Sequence, residues 1–333
     1  MITSKDFQRA IDLIDKSDSV MITTHTKPDG DACGCIVAMC EMLTALGKQV
    51  NVLLLSPAPT WYEFLFTETP PILGRDLTID QLNKGQFAEP DLIIILDTNS
   101  RSQLPDFEEY LKTNDKPVLV LDHHVTSDNL GSVELIDTSA AATGLIVLDL
   151  LKYADRPMTA KIAEALFVAV ATDTGWFQFS NTDSRALTST AQLIEAGANL
   201  PQIYHNLYQN YSYPRFKLMT AMLNTVEIHL QGRLATQYLT KQHFEQTGAA
   251  HQDTENLIDE CRRIATVEAA ALFVELDDGR VRCSLRSRGA VDVRKIAQKF
   301  GGGGHKMASG LYLPAPIQNA IETIKNEVQK ALT

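Results

Sequence analysis

The chain has 333 residues, of which 44 % are hydrophobic and 21 % charged, values of a globular protein that exclude extensive disorder. That length suits two domains better than one ordinary core. Lys and Arg number 30 against 41 Asp and Glu, a net charge of −11, which argues against the broad basic face of a long-duplex binder and leaves room for a short anion gripped by a few placed arginines.

In chain order, the N-terminus lacks the charged-then-apolar layout of a signal peptide. Residues 20–24 read as a short strand. Residues 31–46 read as a helix, because Ile36, Val37, Cys40, Leu43 and Leu46 recur at three- and four-residue spacing and Gly47 provides a stop. The runs 50–55, 92–96 and 118–121 are short and continuously apolar, as strands buried on both faces of a parallel sheet are. Residues 143–153 and 159–172 read as further helices. The pattern is α/β, a doubly wound and mainly parallel sheet, whose ligands bind beyond the carboxyl ends of its strands.

A helical connector follows over 191–222, carrying Tyr204, Tyr208 and Tyr211 at spacings that favour core packing over a base-stacking platform. Residues 223–333 change character. Strands are expected at 234–239, 269–276 and 281–285, with a helix over 256–264 and a hairpin turn at Asp277-Asp278-Gly279. Asp292 can cap a helix running to Phe300, before the glycine run 301–304. The expected domains are therefore 1–190, a connector over 191–222, and a smaller α+β domain over 223–333. No apolar run reaches the ~18–20 residues of a membrane span. The five cysteines (33, 35, 40, 261 and 283) are odd in number, with three crowded near one helix. That favours a reducing cytoplasm over a disulfide framework.

Six metal-type ligands occur in an order that suits one binuclear site. His25, Asp29 and Asp31 come from His25-Thr-Lys-Pro-Asp29-Gly-Asp31, Asp97 ends an apolar strand, His123 lies in Asp122-His123-His124, and Asp173 ends a helix. Four carboxylates in one pocket would strongly raise each other's pKa values without a cation; two divalent ions cancel their charge. Asp29 or Asp31 as a plain helix cap is the bland alternative. Asp97, central among the ligand segments, suits a bridging carboxylate. One histidine of the pair can ligate metal while the other, His124, contacts substrate or leaving-group oxygens, with Asp122 fixing an imidazole tautomer. Oxygen and imidazole ligands without thiolate favour Mn²⁺, with Mg²⁺ as a substitute. In the second domain, period-two alternation puts Arg280, Arg282, Ser284, Arg286 and Arg288 on one face and Val281, Cys283 and Leu285 on the other. The loop Gly301-Gly-Gly303-Gly304-His305-Lys306 permits close backbone approach to an anion. Trp176, Phe177 and Phe179 suit a buried aromatic cluster better than a base platform.

Together these blocks resemble the DHH/DHHA1 phosphoesterase family across nearly the whole chain: His25-Thr-Lys-Pro-Asp29-Gly-Asp31, Leu96-Asp97, Asp122-His123-His124 and Asp173, then Ser284-Leu-Arg286-Ser287-Arg288 and Gly301–Lys306. The two-domain form is similar to the NrnA-type oligoribonucleases that also dephosphorylate pAp (adenosine 3′,5′-bisphosphate). One departure is Met307-Ala308-Ser309, where that group often has Asn-Ala-Ala. The resemblance implies one Mn²⁺ held by His25, Asp29 and Asp97, and a second by Asp31, Asp97, His123 and Asp173. It also implies that Arg286, Ser287, Arg288, Gly303, Gly304 and His305 bind substrate, with the active site in a cleft between the domains. The expected substrates are short single-stranded RNA, dinucleotides such as pApA, and pAp, with long duplexes and membranes excluded and a homodimer left open. The rival readings are an inorganic pyrophosphatase or exopolyphosphatase, and a non-catalytic nucleotide sensor.

Overall fold

The computed structural model describes residues 2–332 and divides into two compact units, the first running to Asn210 and the second starting at Tyr211. The stretch 191–222, expected as a connector, is shared between them.

In the first unit, strands β1 (Ser19–Thr24), β2 (Gln49–Val52), β3 (Leu92–Leu96), β4 (Val118–Asp122) and β5 (Val133–Ile136) form an all-parallel sheet in the order β2-β1-β3-β4-β5. The helices are α1 (Ser4–Lys16), α2 (Gly30–Ala45), α3 (Ile79–Asn83), α4 (Phe107–Thr113), α5 (Thr143–Tyr153), α6 (Ala160–Asp173), α7 (Ser184–Glu195) and α8 (Leu200–Tyr208). Strand β3 explains its own unbroken apolar run. Leu92, Ile94 and Leu96 join a core with residues of α2, α5 and α6, while Ile93 and Ile95 join a second core with Leu82 of α3 and Phe107 of α4. Both faces of the sheet are covered, as parallel pairing demands.

This topology positions the site. From β1 the chain moves outward to β2 and then returns to the other side for β3, so the strand order reverses between β1 and β3 and leaves a crevice at their carboxyl ends. The register pairs Thr24 with Leu96; the next residues, His25 and Asp97, leave the sheet side by side at that crevice. Helix α2 packs closely on α6 because Gly34 and Gly30 lack side chains. A Cβ on Gly34 would collide with the Ala165 carbonyl, and one on Gly30 with Thr172 Oγ1. The first turn of α2 is thereby held against the last turn of α6, where Asp173 sits.

In the second unit, β6 (Glu227–His229), β7 (Leu234–Leu239), β8 (Ala269–Glu275), β9 (Arg280–Ser287), β10 (Gly303–Gly304) and β11 (Ala308–Pro314) form a mixed sheet in the order β10-β11-β9-β8-β7-β6, with β7 and β8 parallel and the other pairs antiparallel. Its helices are α9 (Tyr213–Leu223), α10 (Lys241–Thr247), α11 (Val293–Gln298) and α12 (Ile317–Leu332). One sheet face packs on α11 and α12, the other on α9 and the segment Leu257–Arg263. That segment, expected as a helix over 256–264, is a helix of the 3₁₀ type. Its buried Ile258 and Cys261 stand three apart, the spacing that eclipses in 3₁₀ geometry. The five cysteines are free thiols. Among the described residues no helix is long and apolar enough to cross a membrane.

Candidate functional site

All six sequence-predicted ligands converge at the crevice. Asp29 caps α2, its Oδ1 accepting from the amides of Asp31 and Ala32 at 3.0 and 3.1 Å. The cap reading and the ligand reading are compatible, since a carboxylate has a second oxygen. Asp31 follows in the first turn, 1 % exposed. The amides of Thr143 and Gly144, at the start of α5, donate to its two oxygens at 2.6 and 2.9 Å. Helix N-termini hold anions in this way. Asp97 is equally buried, receives Thr143 Oγ1 at 2.8 Å, and sits at φ +59°. A non-glycine residue in the left-handed region is held there by its surroundings, and such positions cluster at functional sites.

The two imidazoles are pre-oriented. Nδ1 of His25 lies 2.9 Å from the Thr26 carbonyl, and Nδ1 of His123 lies 3.0 Å from the Ala140 carbonyl. A carbonyl only accepts, so Nδ1 carries the proton in each neutral ring and Nε2 keeps its lone pair. His25 Nε2 then faces Asp97 Oδ2 at 3.4 Å. His123 Nε2 faces Asp173, Asp97 and Asp31 oxygens at 3.6, 3.7 and 3.9 Å. Lone pairs aimed at carboxylate oxygens repel unless a cation or proton lies between them.

The carboxylates report the same strain. Burial, then the charges of Asp97, Asp173 and Asp29, drives Asp31 well above the usual carboxylate range. Burial and Asp29 do the same to Asp97, with His124 opposing. Asp173, at a helix C-terminus where the dipole disfavours an anion, is pushed up to about 7 by burial and by Asp29. Ligand atoms of His25, Asp29 and Asp97, of Asp31, His123 and Asp173, and of Asp97, His123 and His124 lie within 4.8 Å of one another in each group. An oxygen–imidazole donor set of this kind fits hard divalent cations. Cys35 approaches Asp31 at 3.4 Å, but burial holds its thiol protonated and outside that set.

His124 differs from its neighbour. It is 44 % exposed, and its Nδ1 lies 2.7 Å from Oδ1 of the fully buried Asp122. That bond raises the imidazole to about 9, against an opposing burial effect. Thr143 and Gly144 were missed from the sequence. Their signal was the start of a helix, expected at residue 143, whose free amides make an anion cradle.

In the second unit, Arg286 is 23 % exposed and its Nε lies 3.8 Å from Asp259 Oδ1. Arg288 is occupied by backbone, donating to the carbonyls of Ala265 and Arg262. Ser287 was grouped with the substrate contacts and is corrected. It lies on the opposite strand face, 1 % exposed, its Oγ accepting from the amides of Gly289 and Val291 at 2.9 and 3.3 Å. Strand alternation forces this, since Arg286 and Ser287 cannot share a face. Gly303 is exposed with open space beside it, whereas Gly304 is a glycine for its own φ of +132° and for the closeness of Ala308. His305 is exposed, and its amide donates to the Ala308 carbonyl at 2.7 Å.

Of the expected buried aromatic cluster, Trp176 and Phe177 are half-buried against the core of the first unit, whereas Phe179 is exposed. Trp176 meets Phe167, Tyr204 and Tyr208 edge-on or tilted, and Phe177 meets Phe167. Tyr204 and Tyr208 nevertheless remain 43 % and 42 % exposed, and Phe179 is 51 % exposed. Tyr211 lies beyond α8, beneath the Arg215 guanidinium at 4.2 Å.

A parallel α/β sheet with buried carboxylates and imidazoles at its switch point, followed by a mixed-sheet domain, is the layout of a two-domain hydrolase. Residues 19–170 match the DHH family, N-terminal domain, and residues 231–333 match the DHHA1 domain. The chain belongs to the DHH/DHHA1 phosphoesterase family. It is 30 % identical over 321 residues to the bifunctional oligoribonuclease and PAP phosphatase NrnA of Thermus thermophilus, covering 94 % of this chain and 90 % of that protein. The protein of the same name from Bacillus subtilis is 26 % identical, with 88 % of each chain covered. The crystal structure of an exopolyphosphatase-related protein from Bacteroides fragilis superposes with a TM-score of 0.90 at 22 % identity, covering 99 % of this chain and 97 % of that one, and shares its fold.

Proposed function

We propose that the protein is a Mn²⁺-dependent phosphoesterase that hydrolyses short oligoribonucleotides, including dinucleotides such as pApA, and dephosphorylates pAp. The observation that carries this reading is the convergence of Asp29, Asp31, Asp97 and Asp173 on His25 and His123, in a chain whose relatives are named for these two activities over nine-tenths of their length. His25, Asp29 and Asp97 would hold one ion, and Asp31, Asp97, His123 and Asp173 the other, with Asp97 shared. Divalent ions held there would supply a water of lowered pKa and would offset charge on the phosphoryl oxygens.

The chain's own residues do the rest. Thr143 and Gly144 hold Asp31 by backbone amides, so its oxygens are fixed before substrate arrives. Asp122 holds His124 Nδ1, leaving Nε2 to give a proton to the leaving oxygen. Arg286, with the 303–305 loop, would grip a second phosphate of the substrate, and Arg288 would join it on releasing the Ala265 and Arg262 carbonyls. The net charge of −11 favours short substrates over long polyanions. The pyrophosphatase reading ranks second, because β9 and the glycine loop lie in the residues that match the DHHA1 domain and their cation and free amides would suit a nucleotide's second phosphate.

The test is a length series from dinucleotide upward, with pAp, on chelated protein restored with Mn²⁺ or Mg²⁺. Mn²⁺ should restore most activity, and rates should fall as the oligomer lengthens. Preference for long RNA, or restoration by zinc alone, would overturn the reading.

A further inference from the structure

Three candidate ligand residues are tied to one short segment, residues 137–144, two of them directly and the third through Asn181. The Ala140 carbonyl receives His123 Nδ1 at 3.0 Å, and the amides of Thr143 and Gly144 donate to Asp31. Asp173 is tied in through Asn181, whose Nδ2 donates both to the Ala141 carbonyl at 3.1 Å and to the Asp173 backbone carbonyl at 3.2 Å. Asp31, His123 and Asp173 are one of the ligand groups. His25 and Asp29 draw their partners from their own loop instead: His25 from Thr26, Asp29 from Asp31 and Ala32. Asp97, which would be the shared carboxylate, accepts from the segment at Thr143 Oγ1.

The far end of the segment is anchored by charge. Asp137, 9 % exposed, accepts from Ser139 N and Oγ on one oxygen and from Arg185 Nη1 at 2.7 Å on the other. The second nitrogen of Arg185 reaches Asp149 of α5 at 2.6 Å. One guanidinium thus cross-links the start of the segment to the helix that begins at its end, using the fork geometry that lysine lacks. Asn181 acts through two backbone carbonyls and Arg185 through the carboxylates of Asp137 and Asp149, and none of these bonds is made to a candidate ligand's carboxylate.

We propose that residues 137–144, held by Arg185 and Asn181, are the template for the Asp31–His123–Asp173 metal position and set its affinity separately from that of the His25–Asp29–Asp97 position. Asn181 and Arg185 are positioning residues. The inference rests on the metal-binding reading above. Partners one step removed from a ligand typically change metal affinity by about 10–100-fold when lost. Here the loss should fall on one ion only.

The experiment is Mn²⁺ titration of metal-stripped, full-length protein by calorimetry, with direct metal counting. The parent protein should take up two ions. Asn181→Ala and Arg185→Ala should bind one ion as before and the other about 10–100-fold more weakly. Arg185→Lys, which keeps the charge but reaches only one of Asp137 and Asp149, should fall between. At limiting Mn²⁺ the variants should show reduced kcat with KM unchanged, and excess Mn²⁺ should restore it. Asn181 is exposed, so metal-free Asn181→Ala should melt with the parent, and it decides the question if Arg185→Ala fails to fold. Equal weakening of both ions, or of neither, in folded Asn181→Ala would overturn the template. A parent protein that binds no Mn²⁺ would overturn the metal reading itself, and the template with it.

Discussion

Asp97 occupies the position in the cluster where charge and backbone geometry are both demanding. It is 1 % exposed, sits at φ +59°, and faces both His25 and His123. Asparagine matches its shape and tolerates the left-handed conformation better than most residues, so Asp97→Asn separates charge from folding. Turnover should fall by at least ~10³-fold, as for loss of a central electrostatic stabiliser, with Mn²⁺ occupancy reduced at both positions and the melting of the metal-free protein little changed. Near-normal turnover with two ions bound would remove Asp97 from its shared role. At this scale the candidate ligands were legible because their side chains are chemically distinctive and sit at the ends of strands or helices. Thr143, Gly144 and Asn181 were not, because two act through amides that every residue carries, and the third reaches two backbone carbonyls.

The elements divide along the same line. Runs 92–96, 143–153 and 234–239 appear with the expected bounds, since apolar periodicity over five or more residues is decided by burial. Strand β5 was missed: its four residues alternate buried and half-buried, too short a run to establish a period. The amphipathic helices α1 and α12 were legible, with Ile317, Ala320, Ile324 and Val328 at helix spacing, but carry no site residue and went unassigned. What no periodicity reveals is how closely two helices approach. Gly34 sets that distance between α2 and α6, because an added methyl would meet the Ala165 carbonyl, a backbone atom that cannot swing aside. Gly34→Ala gains about 1 kcal/mol in helix propensity but overpacks the interface by about 1–3 kcal/mol. Forced separation should win, giving a lower denaturation midpoint together with weaker Mn²⁺ binding, since Asp29 and Asp31 ride on the same helix. An unchanged midpoint would show that α6 yields freely.

For the molecule as a whole, the cluster should couple folding to metal and pH. Asp31, Asp97 and Asp173 have raised pKa values in the folded protein, Asp173 to about 7. The folded state therefore binds more protons than the unfolded one, so stability falls as pH rises. In metal-stripped protein their contribution should be fully present below about pH 4, the unfolded carboxylate range, and lost as pH climbs through 7. Cations replace those protons, so chelation should lower Tm more at pH 8 than at pH 5; a chelation effect that is largest at pH 5 would contradict this. The remaining whole-molecule question is how labour divides between the two units. If Arg286 grips a second phosphate while residues of the first unit carry the hydrolysis, the two roles should come apart by mutation. Arg286→Ala should raise KM for a diribonucleotide or pAp by about 2–3 kcal/mol, the value of hydrogen bonds to charged groups, or close to 10²-fold. A small activated phosphodiester lacking the second phosphate should be hydrolysed almost as before. Arg286 also pairs loosely with Asp259 at 3.8 Å, so Asp259→Ala is the needed companion. If the effect were only loss of that ion pair, both variants would raise KM alike. If the guanidinium binds phosphate, Asp259→Ala should leave KM unchanged or lower it, by freeing the cation. A uniform loss on both substrates with metals retained would instead assign Arg286 to the chemical step or to the integrity of its own sheet.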